Sequence, residues 1–105
     1  MYYPLSANPT KEEYSNLLHE TILYLNTLKN SGIDDYLYDL IIAQLIDIKE
    51  KVVIKRELID EDEINERYSI GGIAIKNFEE GSEMRERLCD IFSGAMDFAF
   101  LPEKR

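Results

Sequence analysis

The stretch from Asp60 to Gly71 is where this chain comes nearest to a metal-binding pattern. Six acids stand between positions 57 and 66, namely Glu57, Asp60, Glu61, Asp62, Glu63 and Glu66, and clustered carboxylates are the chemistry of calcium loops. With Asp60 as the first ligand, Asp62 falls third, as it should, but Ile64 then stands where an oxygen is needed. Asn65 takes the place that the turn reserves for glycine, and Gly71 the place of the closing bidentate glutamate. The calcium reading fails at three positions. Zinc fares no better, because His19 is the only histidine and Cys89 the only thiol, whereas a closed site wants four N or S donors. The same scarcity removes Ser-His-Asp and Cys-His catalysis unless His19, Cys89 and a distant acid meet by chance. No glycine-rich phosphate loop or nucleophile elbow occurs; Ile70-Gly71-Gly72-Ile73 only interrupts a helical pattern. With 21 acids in the chain, possible carboxylate pairs are so many that none is singled out for acid–base work. The expectation is a protein without metal, cofactor or catalytic residues.

What must carry any function is therefore a folded surface. A chain of 105 residues is of single-domain size and can bury about two-thirds of its unfolded surface. Its 45% apolar content is enough for a core without metal or disulfide. Cys89, with Leu88 and Ile91 around it, reads as a buried and inert thiol. The opening MYYPLSANP has no positive flank and no long apolar core, so it is not a signal peptide. Strictly apolar runs such as Leu40 to Ala43 fall far short of the ~20 residues of a membrane span. A cytoplasmic protein is expected. Its net charge of −9 opposes binding to nucleic-acid phosphates or anionic lipid, and favours a basic protein partner or simply solubility.

The element that the others must pack around is the helix from Asp34 towards Lys55. Ile33, Leu37, Leu40, Ile41, Leu45, Ile48 and Val52 recur at helical spacing, and Tyr36, Ile42, Ala43 and Ile46 widen the stripe. Little more than Asp39, Asp47 and Glu50 is left for water, and a helix so apolar must be covered. Its weak point is Val52-Val53-Ile54, three β-branched residues equally content in a strand. Helix is favoured there because no partner strand alternates clearly, Ile73-Ala74-Ile75 excepted.

Before this helix, residues 1–9 form an arm broken by Pro4 and Pro9. Thr10 starts a first helix, its hydroxyl taking the Glu13 amide while the Glu13 carboxylate reaches back to the Thr10 amide. Asn30-Ser31-Gly32 ends that helix, and Asp34 caps the next. Beyond it, Asp60 with Glu63 signals a short helix, and Ser69 to Phe78 another, closed by Gly81. Ser82 caps a last helix with Met84, Leu88, Ile91, Phe92, Ala95 and Met96 on its apolar face, where Gly94 marks a cost or a close crossing. Pro102 ends it, leaving 102–105 as a tail. The fold class expected is all-α: a single compact bundle of four to five helices around a central helix near 34–55.

Two clusters suit recognition. In Asp34-Asp35-Tyr36-Leu37-Tyr38-Asp39, two tyrosines stand among three acids. Tyr36 and Tyr38 are about 200° apart on a helix, so with Leu37 and Leu40 inside, one ring is partly exposed. A tyrosine flanked by carboxylates provides both contact area and steering, although both rings can also lie over neighbouring helices as half-buried core. The second cluster is the run Glu57 to Glu66, whose mutual repulsion a basic partner would relieve. Lys49, Lys51, Lys55 and Arg56 precede the run and can neutralise part of it.

Small size, acidity, helical character and the lack of catalytic residues make the chain similar to the acidic immunity proteins that bacteria make against their own toxins. Tyr2-Tyr3-Pro4 resembles the Tyr-Tyr-Pro of the colicin DNase immunity family, whose paired tyrosines grip a basic nuclease. Here no acid precedes the tripeptide, so no roles are carried over from it. The resemblance implies an inhibitor that covers the active site of a basic toxin, such as a nuclease. Its candidate contacts are Asp34, Asp35, Tyr36, Tyr38, Asp39, Glu57, Asp60, Glu61, Asp62, Glu63 and Glu66. The alternative is a small acidic chaperone or adaptor that holds an apolar segment of its partner in a Leu/Ile/Phe groove, with a homodimer possible.

Overall fold

Thr10 begins the first helix as its hydroxyl allows, accepting the Glu13 amide at 3.0 Å. In the computed structural model, which describes residues 4–31 and 36–104, this helix (α1) runs Lys11–Asn30. The return half of the expected capping box is made differently. The Glu13 carboxylate accepts from the Asn8 side chain at 3.1 Å, and the Thr10 amide donates to the Asn8 carbonyl at 2.9 Å. Two more amides at this end, those of Lys11 and Glu12, donate to the Pro102 and Glu103 carbonyls at 2.8 and 3.0 Å. The C-terminal tail thus caps α1, satisfying donors that a helix start leaves unpaired.

The central helix (α2) is Tyr36–Ile48, and it continues through a π-helical stretch, Lys49–Ile54. Val52 to Ile54 is helical, wound more widely than an α-helix. Ile41, Leu45, Ile48 and Val52 from this element are fully buried. They meet Tyr14, Leu18 and Leu25 of α1 in one core that also holds Ile64, Ile70, Leu88, Ile91 and Phe98, each such side chain contributing about 1.5–3 kcal/mol relative to exposure. The winding ends at Arg56, whose φ of 54° is left-handed, where the Glu57 amide closes onto the Lys51 carbonyl at 3.1 Å. Glycine usually takes such a position. The arginine side chain forks onto the Glu103 carboxylate, at 2.7 and 3.3 Å, which joins the helix end to the tail.

Asp60 caps the short helix α3, Glu61–Arg67, taking the Glu63 amide at 2.8 Å. Helix α4 is Ile70–Asn77; it stops four residues short of Gly81, whose φ of 84° makes the turn into the last helix. That helix, α5, runs Glu83–Asp97 behind its Ser82 cap, and a 3-10 turn, Phe98–Phe100, precedes Pro102. Helix α5 packs against α1, α3 and α4, and Gly94 is a close crossing of α5 over Tyr14. Among the described residues the chain is all helix, with five α-helices and no strand. Its radius of gyration of 13.1 Å matches a compact domain of about 100 residues.

The cap on α4 comes from another helix. Ser69 stands at the N-cap, but it is Gln44 of α2 whose carbonyl accepts the Ser69 and Ile70 amides, at 2.8 and 3.0 Å. Replacing Gln44 with alanine is expected to lower unfolding free energy by about 1–2 kcal/mol in urea denaturation. Gln44→Glu, which keeps the acceptor, is expected to retain most of it.

The expectation that neighbours cover nearly all of α2 does not hold. Tyr36, Leu40, Ala43 and Ile46 are exposed: α1 packs along α2, and the end of α3 and the start of α4 meet it at Asp47 and Gln44.

Candidate partner-binding surface

Tyr36, Leu40, Ala43, Asp47 and Glu50 recur at intervals of three to four residues along α2 and its extension, one face of a helix. Tyr36 is 79% exposed and Ile46, at the edge of this face, 53%. Tyr38 is half-buried and packs against the core, so Tyr36 is the tyrosine of the pair offered to solvent. Leu40, expected inside, belongs to the exposed face. The flanks of the face are set by ion pairs. On one side Asp39 pairs with Lys29 of α1. On the other, Asp47 takes the Arg67 side chain of α3 at 2.9 and 3.3 Å and the Tyr68 hydroxyl at 2.7 Å.

The run of acids between 57 and 66 divides by direction. Lys51 draws in Glu57 at 3.1 Å and Glu63 at 3.0 Å, and these two, with Asp47–Arg67, seam α3 antiparallel to the end of α2. Asp60 is committed to its cap. Glu61, Asp62 and Glu66 are exposed on the outer side of α3, with no hydrogen bond or ion pair to any described residue. They form an anionic ridge beside the bare face of α2. Asp34 and Asp35 lie outside the described residues, as do Tyr2 and Tyr3.

The Asp47 carboxyl is held below its ordinary value, first by the Arg67 hydrogen bond and then by that of Tyr68. Burial, then the bond to Asp47, pushes the Tyr68 hydroxyl up to about 12. A lowered carboxyl contributes stability that is complete above its unfolded value and lost as pH falls through the folded one. The seam is therefore expected to hold at neutral pH and weaken below the ordinary carboxyl value of 3.8. Asp47→Asn should flatten that part of the acid limb in pH-dependent thermal melts.

Cys89 is half-buried rather than fully buried, and burial pushes its thiol up, the direction of low reactivity. Among the described residues no three His, Cys, Asp or Glu side chains converge on a metal-sized site, and no helix is long and apolar enough to cross a membrane.

The composition of α2 held a signal of this surface. A helix apolar around most of its girth needs a cover, and that cover can be a second protein.

No curated protein and no solved structure gives a significant match to this chain. Residues 13–97 match the Tsi6 family.

Proposed function

The chain belongs to the Tsi6 family, a family of type VI secretion immunity proteins, and we propose that it neutralises a basic toxin domain by lying over its active site. It performs no reaction of its own in this reading. The observation that carries the proposal is the uncovered α2 face, where Tyr36, Leu40 and Ile46 are exposed beside the Glu61, Asp62 and Glu66 ridge. Tyrosine and aliphatic side chains supply burial at the centre of an interface, and carboxylates steer a basic partner towards it. The other candidate acids take narrower roles: Glu57, Glu63 and Asp39 are neutralised by lysines and set the edges, and Asp60 holds α3 in place. Asp34 and Asp35 would add charge at the Tyr36 end.

A toxin site lined with basic residues is one that handles a phosphate-bearing substrate, and a nuclease is the instance this charge pattern suits. The complex should bury about 1,600 Å². The test is titration of the toxin domain encoded beside this chain, following binding and toxin activity at rising salt. Stoichiometric inhibition with affinity that falls as salt rises supports the proposal, and absence of binding ends it. The adaptor reading draws on the same exposed aliphatic side chains. It predicts salt-insensitive binding and a dimer by light scattering, which the charge of −9 on each copy opposes.

A further inference from the structure

Helices α4 and α5 meet closely at Gly71, where a Cβ would stand 3.0 Å from the Phe92 ring. One residue on, a Cβ at Gly72 would meet nothing within 4 Å. Gly71 lets the Phe92 ring of α5 lie against α4, and Gly72 leaves the space beside it open, a groove of about 520 Å³. Phe92 and Gly71 line its base, Ile75 forms an apolar wall that is 59% exposed, and Asn65 and Ser93 edge it. This arrangement of two helices is one that receives the apolar side chains of a third segment.

We infer that this groove is a second contact for the toxin, taking an aliphatic or aromatic side chain from a segment that also carries lysine or arginine. The inference rests on the immunity reading and adds a site to it. Two observations select this occupant. The first is charge: Asn65 edges the groove from α3, the helix whose Glu61, Asp62 and Glu66 make the unneutralised ridge, so a cationic segment is attracted along it. A second copy of this chain would bring the same ridge and be repelled, and so would anionic lipid. The second is continuity with the α2 face. Tyr68 and Ser69, which also line the groove, are hydrogen-bonded to Asp47 at 2.7 Å and to Gln44 at 2.9 Å. The bare α2 face and the groove thus flank one surface with the acidic ridge beside it.

Gly72→Leu tests the site by filling it. The new side chain has open space at its root, and leucine is a better helix former than glycine, so the thermal midpoint should not fall. Binding of the toxin domain should weaken at least tenfold. Ile75→Lys, an exposed position that places a cation at the wall, should weaken it similarly and keeps the test valid if Gly72→Leu misfolds. If both folded variants bind as tightly as the unaltered protein, the groove is not a contact, and the immunity reading stands on α2 alone. If the unaltered protein fails to bind the toxin, both readings fall.

Discussion

The double substitution Tyr36→Ala, Ile46→Lys is expected to weaken the toxin complex by about 100-fold or more, while leaving the folded protein as stable as before within about 0.5 kcal/mol. Both side chains stand on the bare side of α2, so their loss removes no core contact. An anchoring tyrosine at the centre of an interface commonly carries about 2 kcal/mol or more, and a lysine at position 46 adds repulsion towards a basic partner. The loss should appear mainly as faster dissociation. Reversing Glu61, Asp62 and Glu66 to lysine should act elsewhere, on the association rate and its salt dependence, because these acids steer without being buried. Surface plasmon resonance at two salt concentrations separates the two effects. Unchanged dissociation for Tyr36→Ala, Ile46→Lys would remove α2 from the interface.

What the sequence revealed and what it hid differ by distance along the chain. The caps at Thr10, Asp60 and Ser82 were legible because each side chain serves an amide three residues on. The caps on α4 and on the start of α1 were not, since their acceptors come from Gln44, Pro102 and Glu103, elsewhere in the sequence. The Glu57 to Glu66 run read as one cluster of like charge. Helical geometry splits it, turning Glu57 and Glu63 onto Lys51 and leaving Glu61, Asp62 and Glu66 outward. A period of 3.6 residues tells which acids share a direction only once the start of the helix is known.

The α2 face shows the other kind of gap. Apolar content around Tyr36, Leu40 and Ile46 reports that water should be excluded there, not which molecule excludes it. Reading it as core assigned the cover to the same chain. The structure keeps Ile41, Leu45 and Ile48 for the core and leaves the opposite side bare. With a toxin as the proposed cover, Leu40 and Ile46, read from the sequence as packing, would join Tyr36, a candidate contact in the sequence, on one binding face.

The second large effect concerns the crossing of α5 over α1, where a single methyl group should be destabilising or harmless depending on one neighbour. Gly94 faces Tyr14 so closely that a Cβ would come within 2.9 Å of the tyrosine ring and 3.0 Å of Leu5. Leu5 can yield, because the contact is the end of a flexible side chain. Tyr14 cannot. Its hydroxyl donates to the Ile91 carbonyl at 2.6 Å, its ring lies 5.4 Å from that of Phe98, and it is fully buried. Gly94→Ala is therefore expected to cost about 1–2 kcal/mol, an overpacking penalty partly offset by the better helix propensity of alanine. Tyr14→Ala alone should cost about 3–5 kcal/mol through the cavity it opens, a large share of the 5–15 kcal/mol typical of a domain. In that background the ring that alanine 94 would strike is gone, and the same Gly94→Ala change should become neutral or stabilising by up to about 1 kcal/mol. Urea denaturation of the four proteins in the cycle measures the reversal. If the cost of Gly94→Ala is the same with and without the Tyr14 ring, the contact between these two residues is not what fixes how α1 and α5 cross.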